Sequence, residues 1–226
     1  MSLQNLIQSL ALGAALLAAG AASAQTPAAA AAAPSSSAVP SASAAPDALV
    51  RDLSNEVLAT IKADKALASG DVNRVQKLID EKILPYVDFQ KMTQLAVGRG
   101  WRQATPEQRA ALTREFRTLL VRTYSGALSQ VTDHQVQLRP FRAQPADTDV
   151  LVRTSVVASR GDPIQLDYRL EKTDAGWKIY DVNILGVWLV ENYKTQFASQ
   201  INAGGVDGLI KTLTDRNRQL EQGKKA

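Results

Sequence analysis

The chain contains no cysteine, one histidine and two methionines in 226 residues. Without cysteine it has no disulfide framework, no thiolate metal site and no thiol nucleophile. One histidine excludes a histidine-rich metal centre and leaves His134 as the only candidate histidine base. The first 46 residues lack every charged and every aromatic side chain. All 26 Lys and Arg and all 22 Asp and Glu therefore fall in the other 180 positions. That charge density is ordinary for a globular domain, and a chain of that length encloses one substantial core. Lys and Arg form no block of five or more and are interleaved with acids. The net charge of +4 is thus no nucleic-acid footprint, and no nucleic-acid partner is expected.

What the first 46 residues do contain is an export pattern. Leu10 to Gly20 reads LALGAALLAAG, and Ala22-Ser23-Ala24 then supplies small residues at the cleavage positions. The expectation is a signal peptide over 1–24, cleaved after Ala24. The apolar run falls short of the roughly 20 residues of a membrane span. No cysteine stands at the cleavage site, so no lipoprotein anchor is expected. Residues 25–46 are almost entirely Ala, Pro and Ser. Such a stretch has too little apolar bulk to offset the entropy of ordering it, and it reads as a flexible linker. Prolines at 27, 34, 40 and 46 argue against one long alanine helix. A folded domain is expected over 47–220, with a solvated tail over 221–226.

In the domain the hydrophobic period runs from helix to strand and back to helix. Val50, Leu53, Val57 and Ile61 recur at helical spacing. Asp71 and Asp88 stand where they cap two further helices, and Gly98 stands where the latter stops. Thr105-Pro106-Glu107-Gln108 has Thr at the N-cap, Pro at N1 and Gln at N3, the pattern of a capping box. The helix after it is expected to run to about Gln130. The period then becomes two. Strands are expected around Val136 and Leu138, over 150–156, over 164–170 and over 177–184. Short turns join them, which predicts an antiparallel meander that Gly186 ends. Two helices follow, separated at Gly204-Gly205. The expected fold class is α+β: a single domain with an antiparallel sheet of about four strands, covered by about six or seven helices.

Candidate chemistries are weak one by one. His134 beside Asp133 suits a general base, or simply a polar loop. Asp147 and Asp149 suggest a cation, but no third acid completes a hard-metal site, so they are expected to flank a turn. Asp167 is expected to be solvated on the polar face of its strand. Asp181, between Tyr180 and Val182, is the less comfortable carboxylate and a candidate base. Gly98-Arg99-Gly100 is too short for a phosphate loop. Bulky apolar residues from several helices face the sheet. Periodicity alone does not separate a filled core from a lined cavity.

Several stretches together carry a resemblance. They are Pro85-Tyr86-Val87-Asp88-Phe89, Gly98 to Arg102, Thr105-Pro106-Glu107-Gln108-Arg109 and Gly176-Trp177-Lys178-Ile179-Tyr180-Asp181-Val182. Gly186-Val187, Asn192-Tyr193, Phe197 and Gly205 to Leu213 continue it. In order and spacing these resemble the MlaC family, periplasmic phospholipid-binding proteins of the toluene-tolerance pathway, over roughly residues 47–216. Trp188 departs from the small Ser of many relatives. The resemblance implies a monomeric periplasmic carrier rather than an enzyme, with phospholipid as cargo and no cofactor. It implies as partners an inner-membrane ABC transporter with its substrate-binding ring and an outer-membrane lipoprotein complex. The implied role is maintenance of outer-membrane lipid asymmetry. With the inward periodicity, it points to Phe89, Met92, Phe116, Leu120, Tyr124, Val152, Val156, Leu166, Tyr168, Tyr180, Val187, Tyr193 and Phe197 as residues lining or bordering an apolar lipid cavity. Two readings from other classes stand beside it. One is a small enzyme with Asp181 or His134 as base; the other is a ligand-free adaptor with a filled core.

Overall fold

A computed structural model describes residues 44–128, 133–159 and 162–223. The expected signal peptide, and residues 25–43 of the expected linker, lie outside these. Helix α1 spans Pro46–Ala63, and α2 and α3 span Lys65–Ala68 and Val72–Leu78. A π-helical turn (Ile79–Ile83) and a 3-10 turn (Leu84–Tyr86) lead to α4 (Phe89–Val97) and α5 (Arg99–Gln103). Helix α6 spans Pro106–Leu128; its expected end near Gln130 lies outside the described residues. Strands β1 (Gln135–Leu138), β2 (Asp149–Val157), β3 (Ile164–Thr173), β4 (Gly176–Ile184) and β5 (Val187–Trp188) follow, then α7 (Leu189–Gly223). Glu221 to Gly223, read from sequence as tail, form the last residues of α7.

The helix starts follow the expected side chains. Asp71 Oδ1 accepts the N–H of Asn73 and Arg74, and Asp88 Oδ1 accepts that of Lys91. The capping box closes in both directions. Gln108 N donates to Thr105 Oγ1 at 3.2 Å, and Thr105 N donates to Gln108 Oε1 at 2.9 Å. Thr105→Ala is expected to cost about 1 kcal/mol. In a thermal melt that is a Tm lower by about 2–4 °C at this chain length. An unchanged Tm would contradict the capping role.

The sheet is an antiparallel meander in the order β1-β2-β3-β4-β5. It has one strand more than expected. Leu185 and Gly186 both take positive φ, 52° and 88°. That is the requirement of a two-residue hairpin turn matching strand twist. Gly186 therefore folds the sheet back into the short β5 rather than ending it. Leu185 disguised the turn, because a bulky residue seldom takes that conformation. On β4, Asp181 pairs with Arg169 while Ile179 pairs with Leu170. Tyr180 is thus the extra residue of a bulge, which locally increases strand twist. Gly205 (φ 66°, ψ −167°) breaks α7 at the place where two helices were expected.

Three apolar clusters hold the domain together. One joins α4, α5, α6 and α7. In it Phe116 meets Tyr193 and Phe197 edge-on, with ring centroids 4.9 and 5.1 Å apart. A second sets Leu49, Val50 and Leu53 of α1 against Val150, Val152, Leu170 and Ile179 of the sheet. The third packs Ile61 of α1 with Leu67, Val75, Leu78 and Val121.

Candidate functional site

Between α1 and the inward face of the sheet lies an apolar cavity of about 230 Å³. Helix α1 supplies one wall through Val50, Leu53, Ser54, Val57, Leu58 and Ile61. These positions fall on one broad helical stripe, because residues three, four and seven apart share a face. The sheet supplies the other wall through Val136, Val156, Leu166, Tyr168, Ile179 and Val182. Strand alternation, with the bulge at Tyr180 between Ile179 and Val182, sends these side chains inward, and pairing sets them side by side: Tyr168 is opposite Val182, and Val136 is opposite Val156. Ile83 and Val87 close the wall beyond α1.

The wall carries little that is polar. The Tyr168 phenol meets the hydroxyls of Ser54 and Thr154, while burial pushes its pKa up. Thr154 in turn donates its hydroxyl to Leu166 O at 2.7 Å. Such a narrow, apolar-walled space offers apolar contact and almost no hydrogen bonding. It suits hydrocarbon and disfavours sugars, nucleotides and metal ions. Among the described residues, no group of three or more His, Asp and Glu is placed to hold a metal ion.

The thirteen residues expected from sequence fall in several places. Val156, Leu166 and Tyr168 stand in the cavity wall. Val152 is buried under α1, opposite Tyr168. Met92, Phe116, Leu120, Tyr193 and Phe197 are buried in the helical cluster, with Phe89 and Tyr124 packed against it. Burial pushes the Tyr193 phenol up to about 12. Tyr180, at the bulge, donates its hydroxyl to Asp149 Oδ2 at 2.7 Å, and Lys91 sits over its ring. Burial and that carboxylate raise its pKa. Val187 is 43% exposed on the edge strand β5. The α1 stripe was legible as a helix face, but nothing in its spacing distinguished cavity wall from core.

The polar candidates resolve as follows. Asp147 Oδ2 accepts the N–H of Gln144 at 2.7 Å, as a turn residue does. Asp167 is buried rather than solvated. It sits mid-sheet between Arg153 and Asn183, and Gln165 Nε2 reaches its Oδ2 at 2.7 Å. His134 Nδ1 is buried 3.8 Å from Asp133 Oδ1. Asp133 is turned toward the backbone N–H and hydroxyl of Ser159.

Asp181 has no exposed surface. Its Oδ1 accepts the N–H of Val182 at 2.9 Å and of Val190 at 3.0 Å, and Arg169 Nη1 reaches its Oδ2 at 3.3 Å. It therefore caps α7 from across the sheet edge, and both oxygens are engaged. Trp188 lies under the Arg169 guanidinium, at 4.0 Å from its ring centre. Burial pushes the Asp181 carboxyl above its ordinary 3.8, more than these donors and Arg169 lower it. The folded chain then binds this proton more tightly than the unfolded one. The stabilisation is complete below pH 3.8 and is lost as pH rises through the folded-state pKa. Asp181→Asn is expected to keep the accepting oxygen and remove that fall in stability. Urea melts across the acidic range check this, and identical pH profiles for the two proteins would contradict it.

Comparison with known proteins agrees with this architecture. The family model described as MlaC protein matches residues 51–215. The chain is 23% identical over 169 residues to the intermembrane phospholipid transport system binding protein MlaC of Haemophilus influenzae, covering 74% of this chain and 79% of that one. It is 24% identical over 182 residues to the toluene tolerance protein ttg2D of Pseudomonas putida, covering 80% and 84%. Among solved structures, it resembles a phospholipid-binding protein of Ralstonia solanacearum in complex with a phospholipid. That likeness has 50% identity and a TM-score of 0.76, and it covers 79% of this chain and 99% of the other. With the family model spanning most of the domain, the chain belongs to the MlaC family.

Proposed function

We propose that this protein is a periplasmic phospholipid carrier, with acyl chains held between α1 and the inward face of the sheet. The observation that carries the reading is the apolar cavity, set in a fold shared at 50% identity with a protein solved with a phospholipid. A two-chain lipid has about 30 methylenes, each costing about 0.8 kcal/mol to expose to water, or about 24 kcal/mol in all. Unaided crossing of an aqueous compartment is then negligible. A dry protein cavity replaces one apolar environment with another, so transfer between membrane and carrier is nearly balanced. Direction comes from partners.

In this reading the leader over 1–24 is removed after Ala24 on export, and the expected 25–46 linker, short of Pro46 where α1 begins, gives the domain reach. The monomeric carrier shuttles between an inner-membrane ABC transporter with its substrate-binding ring and an outer-membrane lipoprotein complex. That traffic maintains outer-membrane asymmetry. The thirteen residues named from sequence line or border the lipid: Val156, Leu166 and Tyr168 from the wall, and the helical aromatics from beside it. Seating two chains then asks α1 and the sheet to separate further than in the present packing, because 230 Å³ lies below the usual range of ligand cavities.

The test is uptake of labelled phospholipid from liposomes by lipid-free mature protein, followed by separation from the vesicles. One lipid per protein in the protein fraction is expected. Label confined to the vesicles would contradict the reading.

A further inference from the structure

A second depression, of about 310 Å³, lies against the first cavity. Its walls are Asn55, Leu58, Ala59 and Lys62 of α1, with His134, Gln135 and Val136 at the start of β1. Leu58 and Val136 belong to both spaces, so the two meet across these side chains. The geometry follows from α1. Asn55, Ala59 and Lys62 lie four and three residues apart on one stripe, adjacent to the stripe that walls the cavity. Leu58 stands between the two.

The chemistry changes sharply at that line. On the cavity side the wall is almost wholly hydrocarbon. On the other it presents an ammonium, an imidazole and two side-chain amides, and no carboxylate among the lining residues. Lys62 Nζ donates to His134 O at 3.2 Å and forms no ion pair among the described residues. An ammonium has three donors, so two remain for a ligand. Asp133 Oδ1 is 3.8 Å from His134 Nδ1, and its other oxygen is held by Ser159.

We propose that this depression binds the phosphate of the lipid headgroup, with Lys62 as its principal partner and Asn55 and His134 beside it. The proposal rests on the carrier reading. A cationic, amide-lined hollow joined to a hydrocarbon-lined one has the order of groups in a phospholipid, anion next to chains. Charge-assisted hydrogen bonds to phosphate oxygens are stronger than neutral ones, and the exposure of Lys62 moderates their effect.

The experiment loads lipid-free mature protein with phosphatidylglycerol and with diacylglycerol of the same acyl chains, in competition, and reads occupancy by native mass spectrometry. Wild type is expected to favour the phospholipid. Lys62→Gln is expected to lower phospholipid loading about three- to tenfold and leave diacylglycerol unchanged, and Lys62→Arg to restore it. Circular dichroism checks that each variant is folded. Inorganic phosphate, added alone and as competitor, separates headgroup from free ion. It is expected to displace no lipid.

An unchanged lipid preference in Lys62→Gln would overturn the proposal. So would an equal loss of both lipids, which would mean that Lys62 shapes the cavity rather than reads phosphate. Loss of inorganic-phosphate binding with lipid preference intact would make the hollow a free-anion site and would also overturn it. If neither lipid loads into wild type, the carrier reading itself fails, and the headgroup site falls with it.

Discussion

Phe116→Ala is expected to lower stability by about 3–5 kcal/mol, the range for deleting a buried aromatic. At this chain length that is a Tm fall of roughly 6–20 °C. Phe116 is fully buried. It is the centre of the aromatic group that ties α6 to the first half of α7, with Tyr193 and Phe197 edge-on against it. Edge-on pairs add about 0.5–1.5 kcal/mol each beyond buried area. The substitution removes both pairs and leaves a cavity between two long helices that relax only partly. Thermal and urea melts check this. A Tm within 2 °C of wild type would mean that the helices are held by something other than this group. A charged residue at Phe116 is expected to unfold the domain outright, so alanine is the informative change there.

Leu166→Asp, by contrast, is expected to lower lipid retention and spare the fold. Leu166 is only half-buried and its side chain borders the cavity, opposite Thr154 on β2 and Ile184 on β4. In the lipid-free protein a carboxylate there gathers water in the cavity. With acyl chains seated it is dehydrated with no partner, which costs several kcal/mol per ion. Every 1.4 kcal/mol is tenfold in affinity, so phospholipid retention is expected to fall by about a hundredfold or more. The readout is lipid per protein after liposome uptake, with a thermal melt alongside. A folded variant that retains lipid as wild type does would remove Leu166 from the binding wall.

The contrast between these two residues shows what the sequence carried. Both lie on inward apolar stripes, and periodicity treated them alike. It placed α1, α4 and α6 and the long strands β2, β3 and β4, because period and caps are local properties. It placed the capping box at Thr105 for the same reason. It did not show that the Phe116 stripe meets other aromatics while Leu166 meets open space. That distinction depends on how far apart two packed surfaces stand, and no residue spacing encodes it. Strand β5 was missed because Leu185 occupies a turn position where Asn or Gly is the usual signal. The buried state of Asp167 was missed because alternation gives the face of a strand but not what crosses that face. Asp181 looked uncomfortable from its neighbours, and its partner proved to be a helix start nine residues on. Recognition of the family came from scattered short stretches in order, among them Gly176 to Val182, which contains the bulge and Asp181.

The central claim is that the cavity between α1 and the sheet holds phospholipid. Native mass spectrometry of the mature protein, purified without detergent, with an organic extract run alongside, tests it most directly. The account predicts a co-purifying mass in the phospholipid range, released into the extract. A clean lipid-free mass, with no uptake after incubation with liposomes, would contradict it.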